Sequence, residues 1–192
     1  MTENYLNLSV ITSCYKGESY LKSFISQLKQ QSYFPALKWI LIHNEPSIHE
    51  MEVINEFAKE FPEKIKHIIR KPVEPLSASW NLGWKIAETE YICFWNLDDC
   101  RPRDSLERQV KTLEHNTNCV MSYGDFLEVP QYGSVNGITK KTTPYNRFIF
   151  QRRFPGGAFM VWRRNASDQV GYFDEQLRIS CDYDLVTRAV VA

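Results

Sequence analysis

Short apolar runs alternate with amphipathic stretches along the first two thirds of the chain. Runs rich in β-branched and aromatic residues predict strands at 8–12, 38–43, 65–69, 91–95 and 119–123. Between them, apolar residues recur every three or four positions, which predicts helices at 20–28, 48–61, 77–89 and 104–113. Strands that alternate with helices indicate an α/β fold with a mainly parallel central sheet flanked by helices.

The pattern changes after Phe126. Residues 130–146 are rich in Gly, Pro, Thr and Asn and predict a long loop, a late strand follows at 157–162, and a helix begins near Asp182. A chain of 192 residues with 43% hydrophobic content is long enough for one domain with a substantial core. We therefore expect a single domain over 1–192, with a ligand-binding part at 1–126 and a second part at 127–192. The helical pattern continues to the last residue, so we expect the domain to be truncated there.

Helix starts carry two further patterns. Ser47 with Glu50, and Asp104 with Glu107, have the spacing of capping boxes at the starts of the second and fourth helices.

Polar residues follow two of the predicted strands. Asn44 and Glu45 come after the second strand, and Asn96, Asp98 and Asp99 come after the fourth. Ligands of such sheets bind outside the carboxyl ends of the strands. Residues two apart at a strand end point the same way, and Mg²⁺ and Mn²⁺ prefer oxygen ligands. The pattern therefore suits a metal–diphosphate site, while the alternative is that these carboxylates only decorate a turn.

A second candidate carboxylate is Asp182, where the last helix begins. A carboxylate beside a cleft is able to take a proton from a hydroxyl nucleophile. The alternative is that Asp182 only caps the helix, and that Asp184 and Arg188 form a surface pair.

Composition excludes several classes of protein. Lys+Arg and Asp+Glu are both 23, so a net charge of +0 gives no support for nucleic-acid binding. The five cysteines form no CxxC pair and the four histidines are scattered, which disfavours a zinc site and indicates reduced thiols. Neither a secretory signal nor a membrane-spanning stretch is present, so we expect a cytoplasmic protein and leave peripheral membrane contact open. Rossmann and P-loop phosphate-binding motifs are also missing from the sequence.

Taken in order, four segments resemble the family 2 glycosyltransferases of the GT-A fold. The resemblance extends over nearly the whole chain and lies in LSVITSCYKGESYL (8–21), ILIHNEPS (40–47), LSASWNLGWKIAETEYICFWNLDD (76–99) and VGYFDEQLRISCDYDLVTRA (170–189). Members of that family transfer a sugar from a nucleoside diphosphate to an acceptor hydroxyl.

The resemblance implies roles for individual residues. Asp182 matches the general base of an inverting reaction, and Asp98 matches the ligand of a divalent metal, Mg²⁺ or Mn²⁺. The partners implied are a nucleotide-sugar donor and a glycan, lipid-linked or other hydroxyl acceptor. The donor-binding residues implied are Thr12, Ser13, Tyr15, Glu18, Asn44, Glu45, Ser77, Asn81, Asn96 and Asp98.

Some positions depart from the family pattern. Asn96 stands where the metal motif has its first Asp, Trp80 where an Arg is common, and Cys181 where an acid precedes the base. These departures keep open a non-catalytic nucleotide-sugar or glycan-binding module. A nucleotidyltransferase is a third reading, but no Gly-rich basic loop follows the first strand to hold a triphosphate.

Overall fold

The computed structural model of the chain describes residues 7–152 and 159–191. Its strands are β1 Leu8–Cys14, β2 Leu37–Asn44, β3 Ile65–Arg70, β4 Tyr91–Phe94, β5 Met121–Ser122, β6 Phe126–Glu128, β7 Ile138–Lys140 and β8 Val161–Arg163. Its helices are α1 Glu18–Gln30, α2 Ile48–Glu60, α3 Leu76–Ile86, α4 Ser105–His115, α5 Arg147–Phe150, α6 Ser167–Val170 and α7 Cys181–Val191.

Six of the strands form one sheet in the order β3-β2-β1-β4-β8-β5. The pairs β1–β2, β2–β3 and β1–β4 are parallel, whereas β8 is antiparallel to both β4 and β5. The predicted α/β fold with a mainly parallel sheet is therefore confirmed. Because β1 lies between β2 and β4, the carboxyl ends of these three strands meet at one edge.

The core has one layer on each face of the sheet. Val10 of β1 faces a cluster with α1, α2 and α4, which includes Phe24 and Trp95 with ring centroids 5.0 Å apart. Ile11 faces the opposite cluster, where Trp84 of α3 lies among residues of β4, β8 and α7. Because both faces are covered, the central strands β1, β2 and β4 are buried at nearly every position instead of at alternate ones.

Only one of the two predicted capping boxes forms. Ser47 Oγ accepts a hydrogen bond from Glu50 N (3.1 Å), and Glu50 Oε2 accepts one from Ser47 N (2.7 Å), so this prediction is confirmed. The second prediction is wrong, because Asp104 precedes α4 without a side-chain cap. Glu107 is held instead by Lys111 Nζ, one turn further along α4, at 2.6 Å.

The segment predicted as a long loop contains a strand. Residues 138–140 form β7, which pairs antiparallel with β6, and Lys140 Nζ lies 2.8 Å from Glu128 Oε2 across the pair. The late strand is β8, and residues 157 and 158 of its predicted start lie outside the described residues. Within the described ranges, no helix is long and apolar enough to cross a bilayer.

Candidate active site

Loops after β1, β2 and β4 meet at the carboxyl edge of the sheet. Cys14 at the end of β1 is opposite His43 of β2, and Trp95 N donates to Ile11 O at 3.1 Å just after β4. This arrangement brings together the loops that carry most of the predicted donor-binding residues. It follows from the strand order alone, as expected for parallel sheets.

The loop after β4 is a tight turn over Asn96–Asp99. Asp99 N donates to Asn96 O at 3.2 Å, and Trp95 Nε1 donates to Asp99 O at 3.0 Å. Leu97 enters the core, while Asp98 is exposed at the tip of the turn. The turn thus presents one carboxylate outward and keeps its neighbour Asp99 half-buried.

The oxygen atoms of this turn suit a hard divalent cation. Asn96 Nδ2 donates to Asp99 Oδ2 at 3.3 Å, so the amide oxygen is the atom that Asn96 offers to a ligand. Burial, and then the charge of Asp98, raises the pKa of Asp99, and the bond from Asn96 partly offsets this. A cation beside Asp98 would relieve the repulsion between the two carboxylates.

At the end of β2, Asn44 is buried and both polar atoms of its side chain are hydrogen-bonded. Its Nδ2 donates to Ser79 Oγ at 3.1 Å and to Ser13 Oγ at 3.4 Å, and its Oδ1 accepts from Glu74 N at 3.0 Å. Asn44 and Ser13 therefore lie together, and Asn44 joins β1, β2 and α3. Glu45, which follows, is exposed.

The predicted donor-binding residues from β1 to the start of α1 differ in exposure. Tyr15 and Glu18 are exposed, and Lys16 Nζ lies 5.1 Å from the centroid of the Tyr15 ring. Thr12 is fully buried and its hydroxyl accepts a hydrogen bond from Trp39 Nε1 at 3.1 Å. Its side chain thus points into the core, away from a ligand at the sheet edge.

Helix α3 supplies the two remaining predicted donor residues, and both are buried. Ser77 Oγ has no hydrogen-bond partner among the described residues. Asn81 Nδ2 donates to Phe173 O (2.9 Å) and Glu175 Oε1 (2.8 Å), and Asn81 Oδ1 accepts from Phe173 N (2.9 Å). Asn81 therefore clamps the segment that leads to α7.

The predicted base, Asp182, lies in the first turn of α7 and is half-buried. Its Oδ1 accepts from Tyr183 N at 2.9 Å. Ser180, two residues before it, has a φ of 63°, an unusual conformation for a residue other than glycine. The pair named in the alternative interpretation of this helix is also present, with Arg188 Nη2 2.8 Å from Asp184 Oδ2.

A cavity of about 910 Å³ opens beside the Asn96–Asp99 turn. Asp98 and Asp99 line one side of it, and Gln109 of α4 and Phe159 before β8 are among the residues that line the rest. Its size is that of a ligand site. Of the predicted site residues, Asp98 belongs both to this cavity and to the edge of the sheet.

Sequence reasoning assigned no role in the site to two buried polar residues, Ser79 and Glu50, although it predicted Glu50 as part of a helix cap. Ser79 accepts the bond from Asn44, and Glu50 accepts a bond from Gly17 N at 2.6 Å in addition to its capping bond. A signal for Ser79 was present, because three polar residues interrupt an otherwise apolar helix at 77–81. The contact between Glu50 and Gly17 joins residues 33 positions apart and leaves no local pattern.

The chain is similar in sequence to known proteins. The family described as glycosyl transferase family 2 matches residues 9–171. An uncharacterized glycosyltransferase of Haemophilus influenzae is 29% identical over 119 residues, which are 62% of this chain and 46% of that protein.

Two solved structures are similar in fold. Crystalline S. aureus TarS 1-349 in complex with UDP aligns with a TM-score of 0.78 at 16% identity, over 96% of this chain and 55% of that one. The mannosyltransferase PcManGT from Pyrobaculum calidifontis, in complex with GDP-Man and Mn²⁺, aligns with a TM-score of 0.68 at 14% identity, over 94% of this chain and 50% of that one.

The chain thus spans about half the length of these proteins. Its fold is that of the GT-A glycosyltransferases. Because the family match covers residues 9–171, which is most of the chain, the chain belongs to glycosyl transferase family 2.

Proposed function

We propose that the chain carries the donor site and general base of an inverting, metal-assisted glycosyltransferase. The donor is a nucleoside diphosphate sugar, and the acceptor is the hydroxyl of a glycan, a lipid-linked sugar or another alcohol. Family membership supports the reaction class. UDP in one structural neighbour, and GDP-Man with Mn²⁺ in another, support the donor class and the metal.

The observation that carries the proposal is the position of strained backbone. Lys16, Glu45 and Ser180 are the residues other than glycine that have positive φ in the described ranges, with values of 51°, 46° and 63°. Lys16 is next to Tyr15, Ser180 lies two residues before Asp182, and Glu45 is itself a predicted site residue. Each such conformation costs about 1–3 kcal/mol and persists only where the surrounding structure compensates for it. Residues in these conformations cluster at functional sites, where the strain is part of the mechanism. Strain in these three loops supports a preorganised site there.

The residues of the turn after β4 fit Mg²⁺ or Mn²⁺. Asp98 would hold the cation by its exposed carboxylate, and Asn96 offers a neutral amide oxygen beside it. Both are hard oxygen ligands, and few protein ligands are needed when the donor supplies phosphate oxygens. When bound, the cation neutralises charge on the leaving diphosphate.

The other residues bind and orient the substrates. Tyr15, Glu18 and Glu45 are exposed at the sheet edge and are proposed to contact the base and ribose of the donor. Asp182 is proposed to accept the proton of the acceptor hydroxyl. The acceptor oxygen then bonds to the anomeric carbon as the bond from that carbon to the diphosphate oxygen breaks, which inverts the anomeric centre. A general base of this kind contributes about 10²–10⁴-fold to the rate.

Turnover tests the proposal directly. Release of nucleoside diphosphate from a panel of sugar nucleotides would be followed with and without hydroxyl acceptors, on the natural full-length protein. Asp182→Asn should lower the rate by about 10²-fold or more. Asp168→Asn is the matched control, because Asp168 is exposed on α6, and should leave the rate unchanged.

Two outcomes would contradict parts of the proposal. Full activity of Asp182→Asn would remove the base assignment. Donor binding without turnover, with every acceptor, would favour a non-catalytic nucleotide-sugar module instead.

A further inference from the structure

A buried carboxylate connects the loops at the carboxyl edge of the sheet. Glu50, in the first turn of α2, is only 2% exposed. Its Oε2 accepts from Ser47 N at 2.7 Å, and its Oε1 accepts from Gly17 N, in the loop after β1, at 2.6 Å. The bond to Ser47 belongs to the helix cap. The bond to Gly17 does not, and it fastens a different loop to α2.

The surroundings of Glu50 keep its carboxylate ionised. Burial alone would raise the pKa of Glu50, but the N–H donors of Ser47 and Gly17, together with His43, outweigh burial and hold this pKa below its ordinary value. Burial lowers the pKa of His43, whose Nε2 lies 3.5 Å from Oε2, so the imidazole is neutral at neutral pH. Cys14 Sγ lies 3.8 Å from Oε1. Two short charge-assisted bonds therefore satisfy the carboxylate from the backbone.

Each of these bonds lies beside strained backbone. Lys16, with a φ of 51°, directly precedes Gly17, and Glu45, with a φ of 46°, lies two residues before Ser47. A left-handed conformation is unfavourable for a residue other than glycine, because its Cβ atom crowds the backbone. Glu50 thus fixes the backbone next to both strained residues and offsets part of that strain.

Gly17 extends the connection to the turn that carries Asp98. A Cβ atom on Gly17 would lie 2.4 Å from Leu97 Cδ1 and 2.7 Å from Cys14 Sγ, so the loop is packed directly against the turn. Leu97 is the residue between Asn96 and Asp98. The carboxylate of Glu50, the backbone of Gly17 and the side chain of Leu97 therefore link the loops after β1, β2 and β4.

We propose that Glu50 is a positioning residue, which holds Tyr15 and the loop after β1 in register with Asp98 for nucleotide-sugar binding. This inference rests on the proposed function of the same site. Loss of the carboxylate would release Gly17 N and let the strained loop relax, while the sheet and the turn stay in place. A hydrogen bond to a charged group contributes about 1.5–3 kcal/mol, so the dissociation constant for the nucleotide should rise about 10- to 100-fold.

Two variants separate positioning from helix capping. Glu50→Gln removes the charge and leaves one accepting oxygen for two backbone N–H donors, so the bond to Gly17 is lost or reduced to that of a neutral amide. Ser47→Ala removes only the bond from Glu50 N to Ser47 Oγ and leaves the Glu50 carboxylate bonded to Gly17 N and to the backbone N of residue 47. Hydrogen exchange of peptides that cover residues 14–18 would be measured alongside the Kd for UDP and GDP with Mn²⁺. We expect faster exchange and the weaker Kd in Glu50→Gln, with both quantities within about twofold of wild type in Ser47→Ala. If Glu50→Gln does not fold, Glu50→Asp, which shortens the reach by one methylene, takes its place.

The results separate this inference from the proposed function. Equal effects of Glu50→Gln and Ser47→Ala would overturn the positioning role, because Glu50 would then act only as a cap. Wild-type Kd in a Glu50→Gln protein that binds nucleotide would overturn it too, and would leave the proposed function standing. If the wild-type protein bound no nucleotide, the proposed function would fail, and exchange in residues 14–18 alone would decide whether Glu50 fixes the loop.

Discussion

Replacement of Asn81 by alanine should destabilise the protein strongly. The side chain is 2% exposed and makes three hydrogen bonds, two of them with the backbone N–H and C=O of Phe173. Alanine leaves both of these backbone groups buried without a partner, at about 1–3 kcal/mol each. The third bond, to the exposed Glu175, is replaced by water at little cost. We therefore expect a loss of about 3 kcal/mol in the free energy of unfolding, or about 6–12 °C in Tm for a chain of this size.

Urea denaturation of Asn81→Ala measures this loss, and Asn116→Ala is the matched control. Asn116 Nδ2 also donates to a backbone carbonyl, that of Thr112, at 2.7 Å, but both residues are exposed. Its loss should stay below about 1 kcal/mol, because water replaces the bond. A loss in Asn81→Ala as small as that of the control would refute the reasoning from burial.

The same variant tests the role of Asn81 in donor binding. If Asn81 only clamps the segment before α7, the folded variant should bind nucleotide with a Kd within about threefold of wild type. A loss of tenfold or more would mean that Asn81 contacts the donor, as the family resemblance implies.

Three further predictions concern titration, thiol reactivity and stereochemistry. Burial, and then His43, lowers the pKa of His67 to about 4 from an ordinary value of 6.5, so the unfolded chain takes up a proton between these values that the folded chain does not. The free energy of unfolding should therefore fall as the pH decreases from 6.5 to about 4. Urea denaturation at several pH values should show a shallower fall for His67→Gln than for the wild type, and the same pH dependence in both proteins would contradict this. Iodoacetamide at pH 8 should label the exposed Cys100 and Cys119, and should react with the three buried thiols only after the protein unfolds. Mass spectrometry counts the labels, and rapid labelling of a third cysteine in the folded protein would contradict the core described. NMR of the transferase product should show the opposite anomeric configuration to the donor, and retained configuration would exclude direct displacement.

The central fold was predictable because its signals are local. Apolar runs gave the four parallel strands, and the amphipathic spacing gave the helices between them. The pairing of β7 with β6 was not predictable, because the segment 130–146 has loop composition and its strand depends on a partner elsewhere in the chain. Asp104 does not cap α4 because its backbone, with a φ of −102° and a ψ of 4°, lacks the extended conformation of an N-cap residue, and Glu107 is bonded to Ser32 and Lys111 instead.

The site was predictable in part for the same reason. The turn that presents Asp98 follows from a buried strand that ends in polar residues, and the strand order then brings the loops together. Local sequence could not reveal that Thr12 and Asn44 face inward, because that depends on bonds to Trp39 and Ser79 on other elements. The role of Glu50 in the loop after β1 is hidden from the sequence in the same way.

Thermal stabilisation by nucleotides tests the central claim most directly. UDP, GDP, dTDP and CDP would be added with and without Mn²⁺ to the wild-type protein and to Asp98→Ala, with Asp168→Ala as the exposed control. A ligand at 100 times its dissociation constant adds about 2.7 kcal/mol of stability. We expect a Tm increase with one nucleotide that depends on Mn²⁺, disappears in Asp98→Ala and persists in Asp168→Ala. An equal, Mn²⁺-dependent increase in Asp98→Ala, or no increase with any of the nucleotides, would contradict a metal–diphosphate site at this turn.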